Sequence, residues 1–154
     1  MNLILSIITR LFVLLFALIP FWLLYIFADI LCFGLHKVFT YRLTVVRDNL
    51  HKAFPEKSEK ELKVIEKLFY QNLSQIMVES LKAFTMTNKQ IVRRHRVTNI
   101  SDVSDVYNKK YGGIIALPCH YGNWEWGAMS CKQLVWEPIA FYKPLTNNYL
   151  DKYI

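Results

Sequence analysis

Residues 112–125 of this chain read GGIIALPCHYGNWE, and this stretch decides the predicted fold class. The two glycines are a turn signal. The short apolar run Ile114–Leu117, which follows them, is typical of a buried strand. The chain then turns, and Asn123 is a favourable N-cap for a helix over Trp124–Leu134. A second apolar run, Ile139–Tyr142, follows that helix. The strand–helix–strand order predicts an α/β layer, in which functional sites collect beyond the carboxyl ends of the strands.

Two side chains in this stretch have the relation that acid–base chemistry requires. His120 comes directly after the first predicted strand, and Glu125 lies near the start of the predicted helix. A carboxylate at a helix N-terminus is stabilised in its charged form, and its hydrogen bond to one imidazole nitrogen leaves the other nitrogen basic. Such a pair can deprotonate an alcohol. One His and one Glu at this spacing are also common in proteins, so a structural histidine is the alternative interpretation.

Other chemistries have little support in the sequence. Cys119 precedes His120 in an extended segment and is expected to point the opposite way, so a small buried residue is favoured over a nucleophile. The histidines are scattered, without Cys or His at ligand spacing, and no metal site is predicted. The glycine fingerprints of nucleotide sites are also missing from the sequence, so no cofactor is predicted.

The apolar residues are concentrated at the front of the chain. Leu11–Ala28 is an uncharged run between Arg10 and Asp29. As a helix it spans about 27 Å, close to the ~30 Å hydrocarbon core of a bilayer, and Pro20 is expected to kink it. A buried core helix and a cleaved signal peptide are the alternatives, although no basic residue precedes the run as in a signal peptide. A membrane anchor over residues 1–36 is therefore predicted.

Composition excludes several classes of protein and suggests an orientation. Of 154 residues, 53% are apolar and 20% charged, which excludes a disordered chain, and three cysteines are too few for a disulfide scaffold. The net charge is +7, and the residues after the apolar run are basic, so the positive-inside rule places the rest of the chain in the cytoplasm. Basic residues recur in 89–110 and suit an anionic membrane face. Because no nucleic-acid-binding motif accompanies them, no nucleic-acid partner is predicted.

The middle of the chain is predicted to be helical. Residues 41–54 form a helix that stops at Pro55. Ser58 with Glu61 makes a capping box for a long amphipathic helix, and Thr87 with Gln90 makes a second capping box that opens a short basic helix after it. The apolar stripe of the long helix, interpreted as core packing, consists of Leu62, Ile65, Leu68, Phe69, Leu73, Ile76, Met77, Leu81 and Phe84. Residues 37–100 are accordingly predicted to be a helical collar.

Three ordered blocks of sequence resemble the bacterial lipid A biosynthesis acyltransferase family, the late lauroyl and myristoyl transferases. Residues 41–58 are similar to its R-x2-VV-x2-NL-x2-AFPE block. Residues 120–125, HYGNWE, resemble its form of the His-x4-Asp/Glu acyltransferase motif. Residues 142–151 resemble the pattern Y-[RK]-P-L-x-N-x2-[LF]-D. The resemblance covers the whole chain and is far more specific than the spacing of His120 and Glu125 alone.

The resemblance implies a membrane-anchored acyltransferase on the cytoplasmic face of the bacterial inner membrane. An acyl chain carried by acyl carrier protein would pass to a hydroxyl of a glycolipid precursor of lipid A. His120 would act as general base and Glu125 would orient it. The hydroxyl would attack the thioester directly, so no enzyme nucleophile, cofactor or metal is implied.

The same resemblance suggests residues that contact substrate. Asn123 and Trp124 would shape the helix start beside the substrate, and Tyr142 would lie in the substrate site. Lys143 is a candidate for a glycolipid phosphate, which a lysine meets as a point charge; an ordinary surface lysine is the alternative.

The implied fold is α/β: a membrane-anchoring helix, the helical collar, and in residues 101–154 the start of a mixed-sheet core like that of glycerolipid acyltransferases. The chain ends shortly after the third block, so it is expected to be truncated relative to the family. Two other functions stay open. One is an inactive, membrane-bound remnant, and the other is an acyltransferase for a different membrane lipid.

Overall fold

The computed structural model describes residues 2–106, 115–117, 119, 121–134, 139, 143–144 and 146–151. In chain order its helices are α1 (Asn2–Leu18), α2 (Phe21–Phe33), a π-helical turn (Gly34–Val38), α3 (Leu43–Ala53), α4 (Glu59–Ala83), α5 (Asn88–Arg94), α6 (Ile100–Val106), α7 (Trp124–Ser130), a 3-10 turn (Cys131–Gln133) and α8 (Asn148–Asp151). The chain divides into two compact units, Ile19–Glu79 and Met1–Leu18 with Ser80–Ile154. The predicted division at residues 36 and 100 stays a prediction.

The predicted α/β fold with a mixed sheet is wrong, because no strand occurs among the described residues. Residues 115–117 of the first expected strand have no regular structure, and Ile115 and Leu117 are 89% and 91% exposed. Ile139 of the second is also exposed, and the rest of both runs lies outside the described residues. A strand requires a neighbouring strand for its backbone hydrogen bonds. The elements that the structure describes are helices, which satisfy theirs internally.

The uncharged run near the front is two helices instead of one kinked helix. Pro20 is the N-cap residue of α2, and its carbonyl accepts hydrogen bonds from the amides of Leu23 and Leu24. Because proline lacks an N–H and clashes with a preceding helical turn, it favours a new helix start. In the part of the chain that the structure describes, the helix long and apolar enough to cross a membrane is therefore Phe21–Val38.

The predicted helix starts in the middle of the chain are confirmed. The Glu61 carboxylate accepts hydrogen bonds from the Ser58 amide at 2.9 Å and the Ser58 hydroxyl at 2.7 Å. These hydrogen bonds lower the pKa of Glu61. A second capping box joins Thr87 and Gln90 at the start of α5. Both starts depend on residues three apart, so the sequence alone defines them.

The long helix α4 is confirmed, but its buried face is not the predicted apolar stripe. Besides Ala83, its buried residues recur at intervals of four: Leu62, Glu66, Tyr70, Ser74, Val78 and Lys82. Four members of the predicted stripe, Leu68, Phe69, Met77 and Phe84, are instead 37–56% exposed. Polar side chains can be buried on this face because they find hydrogen-bond partners there.

Lys82, one of these buried polar residues, has its hydrogen-bond partners at the end of α1. Its buried ammonium donates hydrogen bonds to the carbonyl oxygens of Phe16 and Ala17, at 2.8 and 2.7 Å, in the last turn of α1. Burial lowers the pKa of Lys82. A cation at these otherwise unpaired carbonyls satisfies them and complements the dipole of α1.

Candidate active site

The helix α7 starts at the residue that the sequence predicts. The Asn123 side chain accepts a hydrogen bond from the amide of Trp126 at 3.4 Å, and the Asn123 backbone carbonyl accepts from the same amide at 3.2 Å. Just before it, Gly122 has φ +61°, a left-handed conformation that glycine adopts without steric cost. The turn therefore brings the chain abruptly from Tyr121 into the helix.

Glu125 lies in the first turn of α7 and is partly exposed. In this position its carboxylate is next to the positive end of the helix dipole. The two tryptophans next to Glu125 differ in their exposure to solvent. Trp124 is exposed, whereas Trp126 is buried and fixes the helix to the protein.

A polar contact fixes the other end of α7. The Ser130 hydroxyl donates to the backbone carbonyl of His95 at 3.2 Å, and Nδ1 of His95 lies 2.8 Å from the same hydroxyl oxygen. Gln133 also donates to the His95 carbonyl, at 2.9 Å. These contacts hold α7 to the end of α5.

The structure places some of the predicted site residues and leaves others outside its described part. Asn123, Trp124 and Glu125 are together at the start of α7. Lys143 is exposed and lies in a segment without regular structure. His120 and Tyr142 lie outside the described residues, so the pairing of His120 with Glu125 stays a prediction.

A second polar cluster, which the sequence analysis missed, surrounds Glu66 on α4. Nε2 of His36 lies 2.7 Å from Glu66 Oε1, and Nε of Arg47 donates to Glu66 Oε2 at 2.7 Å. The Tyr70 ring stacks on the imidazole with centroids 4.5 Å apart, and its hydroxyl donates to the carbonyl of Tyr41. We call His36, Arg47, Glu66 and Tyr70 the Glu66 cluster. It joins α3 and α4 to the π-helical turn after α2.

Charge explains how this carboxylate is tolerated in a buried position. The hydrogen bond from Arg47 lowers the pKa of Glu66, and the one from His36 adds to that effect, although burial alone raises it. The one sequence signal was the four-residue spacing of Glu66, Tyr70 and Ser74, which places them on one face of α4. The partners of Glu66 and Tyr70 are 19 to 30 residues away in the sequence, and no spacing indicated them.

The described chain also has a cleft of about 220 Å³ between α3 and α4. Arg47, Lys63 and Glu66 are among the residues that line it. Among the residues described, no three His, Cys, Asp or Glu side chains are grouped as metal ligands would be.

The motif HYGNWE, the Asn123-capped helix and the apolar front of the chain all agree with one comparison. A family profile described as bacterial lipid A biosynthesis acyltransferase matches residues 3–154. The chain belongs to this family. The resemblance noted from the three sequence blocks is thereby confirmed. No curated protein and no solved structure gives a significant match.

Membership of the lipid A biosynthesis acyltransferase family indicates lipid A acyltransferase activity in general. It also agrees with the apolar N-terminal helices, because the family is membrane-associated and Phe21–Val38 has the length and composition of a membrane helix.

Proposed function

We propose that this member of the lipid A acyltransferase family transfers a fatty acyl chain from acyl carrier protein to a hydroxyl of a lipid A precursor. The reaction takes place on the cytoplasmic face of the inner membrane. The observation that supports it best is the family match, which runs through the HYGNWE block at residues 120–125.

In this proposal His120 is the general base. Its imidazole takes the proton of the acceptor hydroxyl while that oxygen bonds to the thioester carbonyl carbon. The carbon–sulfur bond then breaks, and the leaving thiolate takes the proton back from the imidazolium. The step balances without a covalent enzyme intermediate, so neither Cys119 nor a metal has a part in it.

Glu125 is the positioning residue for His120. Its carboxylate, in the first turn of α7, would accept a hydrogen bond from one imidazole nitrogen, which leaves the other nitrogen free to accept the proton.

Basic side chains provide the recognition of both substrates. Arg93 and Arg94 are exposed on α5, which packs against α7, and acyl carrier protein is acidic, so they would steer its approach. Lys143 is exposed and would attract a phosphate of the glycolipid. Asn123, Trp124 and Tyr142 would border the acceptor site.

The test is acyl transfer by the purified chain in detergent micelles, with acyl-acyl carrier protein as donor and a lipid A precursor as acceptor. We expect transfer by the wild-type chain and a fall of about 100-fold or more in His120→Ala, the scale of lost general-base catalysis. His51→Ala is the matched control, because His51 is exposed on α3 and lies at an unspecified position of the first sequence block.

Two results would contradict the proposal. One is a His120→Ala variant that stays folded and transfers acyl chains at the wild-type rate. The other is a wild-type chain that acylates a phospholipid and not the lipid A precursor, which would change the acceptor.

A further inference from the structure

The helix with the composition of a membrane span has a hydrogen bond to the polar helix α4 near each of its ends. The Tyr25 hydroxyl, near the start of α2, donates to Glu79 Oε1 at 2.8 Å. At the other end, His36 contacts Glu66 at 2.7 Å. Residues 25 to 36 therefore lie beside residues 79 to 66 of α4, so the two helices are antiparallel over about 16–20 Å.

This pairing sets the depth at which α4 would lie if Phe21–Val38 crossed a bilayer. Tyr25 and His36 are only about 7 Å and 10 Å along the helix from the middle of that segment. The hydrocarbon core extends about 15 Å to each side of its midplane. Glu79 and Glu66, which contact them, would both lie within the hydrocarbon.

The composition of α4 does not suit such a position. Between Lys67 and Glu79 it has an uncharged segment, Leu68–Val78, of only about 16 Å. That length is about half of what a bilayer requires, and the segment contains four polar side chains. Charged side chains at membrane depth are costly, and here Glu66, Lys67 and Glu79 would all enter the hydrocarbon.

Asp29 provides a second, independent observation. It lies at the middle of Phe21–Val38, and its side chain is exposed. In a crossing helix this carboxylate would face lipid at the bilayer midplane, where charge is least favourable.

The exposed side of α2 is an apolar arc. Trp22, Ile26, Ile30 and Phe33 are 47–65% exposed and recur at intervals of four, four and three residues. Asp29 is seven residues from Trp22, so it falls at the edge of this apolar arc, where lipid headgroups begin. Exposed basic residues, including Lys37 and Arg42, follow at the carboxyl end.

We propose that α2 and α4 form a pair that lies in the interface of one anionic leaflet, with the arc Trp22–Phe33 against lipid, and that Phe21–Val38 does not cross the bilayer. The antiparallel pairing with a charged helix is the observation that carries this proposal. Apolar burial together with basic residues is the usual basis of such interfacial binding.

The test is the sidedness of the two ends of α2 in the full chain. Cys32, Cys119 and Cys131 are replaced by serine, and single cysteines are introduced as Pro20→Cys or Lys37→Cys, both at exposed positions. Sealed spheroplasts and inverted inner-membrane vesicles are then treated with a membrane-impermeant maleimide. We expect both positions to be labelled in inverted vesicles and neither in spheroplasts.

A second pair on α4, Lys67→Cys and Gln75→Cys, repeats the test without altering α2, and labelling from the same face is expected again. Lys63→Cys marks the face on which α4 begins. Labelling of the two ends of α2 from opposite faces would overturn the proposal, as would an end that reacts only after detergent is added. Activity is not the readout, so the result does not depend on the proposed function.

Discussion

Glu66 joins several segments of unit Ile19–Glu79 through hydrogen bonds to its carboxylate. One carboxylate oxygen accepts from Arg47 and the other meets His36, so one side chain joins three segments of the chain. Because its pKa is lowered mainly by the hydrogen bond from Arg47, the folded protein favours the charged carboxylate. A charged buried group that stabilises the fold makes stability depend on pH.

We expect Glu66→Gln to destabilise the protein by about 1–3 kcal/mol at neutral pH, because Gln cannot accept from both partners. The folded pKa lies below the ordinary value of 4.5, so the contribution of Glu66 is complete above pH 4.5 and is lost as the pH falls through the lower, folded pKa. The difference in unfolding free energy between wild type and variant should therefore shrink below that pH.

Thermal unfolding in detergent across this pH range measures the effect. Glu59→Gln is the matched control, since Glu59 is an exposed glutamate on the same helix. A wild-type advantage that stays constant down to the lowest pH would contradict the role of the charged carboxylate.

At the scale of elements, the sequence predicted the helix starts well, because each depends on residues close together in the chain. The capping boxes at Ser58 and Thr87 and the N-cap Asn123 involve residues within one helical turn. The buried face of α4 depends instead on where other helices lie. Tyr70 and Lys82 are buried because Tyr41 and the end of α1 accept their protons, and no residue spacing shows that.

Helix α7 gives an element-scale prediction, because its start carries Glu125. Asn123→Ala removes the cap and should cost about 1 kcal/mol of stability. If the start of α7 positions the residues of acyl transfer, Asn123→Ala also lowers the acyl-transfer rate. Asn123→Asp keeps the capping oxygen and therefore much of that rate. Amide exchange at Trp126 and the acyl-transfer assay measure the two effects.

Asn72→Ala is the control for this prediction, because Asn72 is exposed within α4 and caps no helix. Equal protection of the Trp126 amide in wild type and Asn123→Ala would show that the cap does not fix the start of α7.

At the scale of the whole molecule, the sequence predicted helices and family correctly and the sheet wrongly. The runs at 114–117 and 139–142 have strand-like composition, but an apolar run does not decide between strand and other structure without its neighbours. In the candidate site, Asn123 and the placement of Glu125 in the first helical turn followed from sequence. The Glu66 cluster did not, because His36 and Glu66 are 30 residues apart.

Large apolar side chains are exposed along α1 and α2, including Leu15, Leu18, Trp22 and Ile30. We expect the chain to stay with the membrane fraction through high-salt washes and to be released by detergent. Salt screens the attraction of basic residues to lipid headgroups but leaves apolar contact intact. Release of most of the protein by salt alone would show that charge, not apolar contact, holds it there.

The pairing of α2 with α4 also has a consequence for synthesis on the ribosome. Tyr25 is made 54 residues before Glu79, and His36 is made 30 residues before Glu66. At about 5–20 residues per second, the two side chains wait about 2–11 s for their partners. During those seconds α2 is an apolar nascent segment without its companion helix. Until α4 emerges from the exit tunnel, Tyr25 and His36 lack these hydrogen-bond partners.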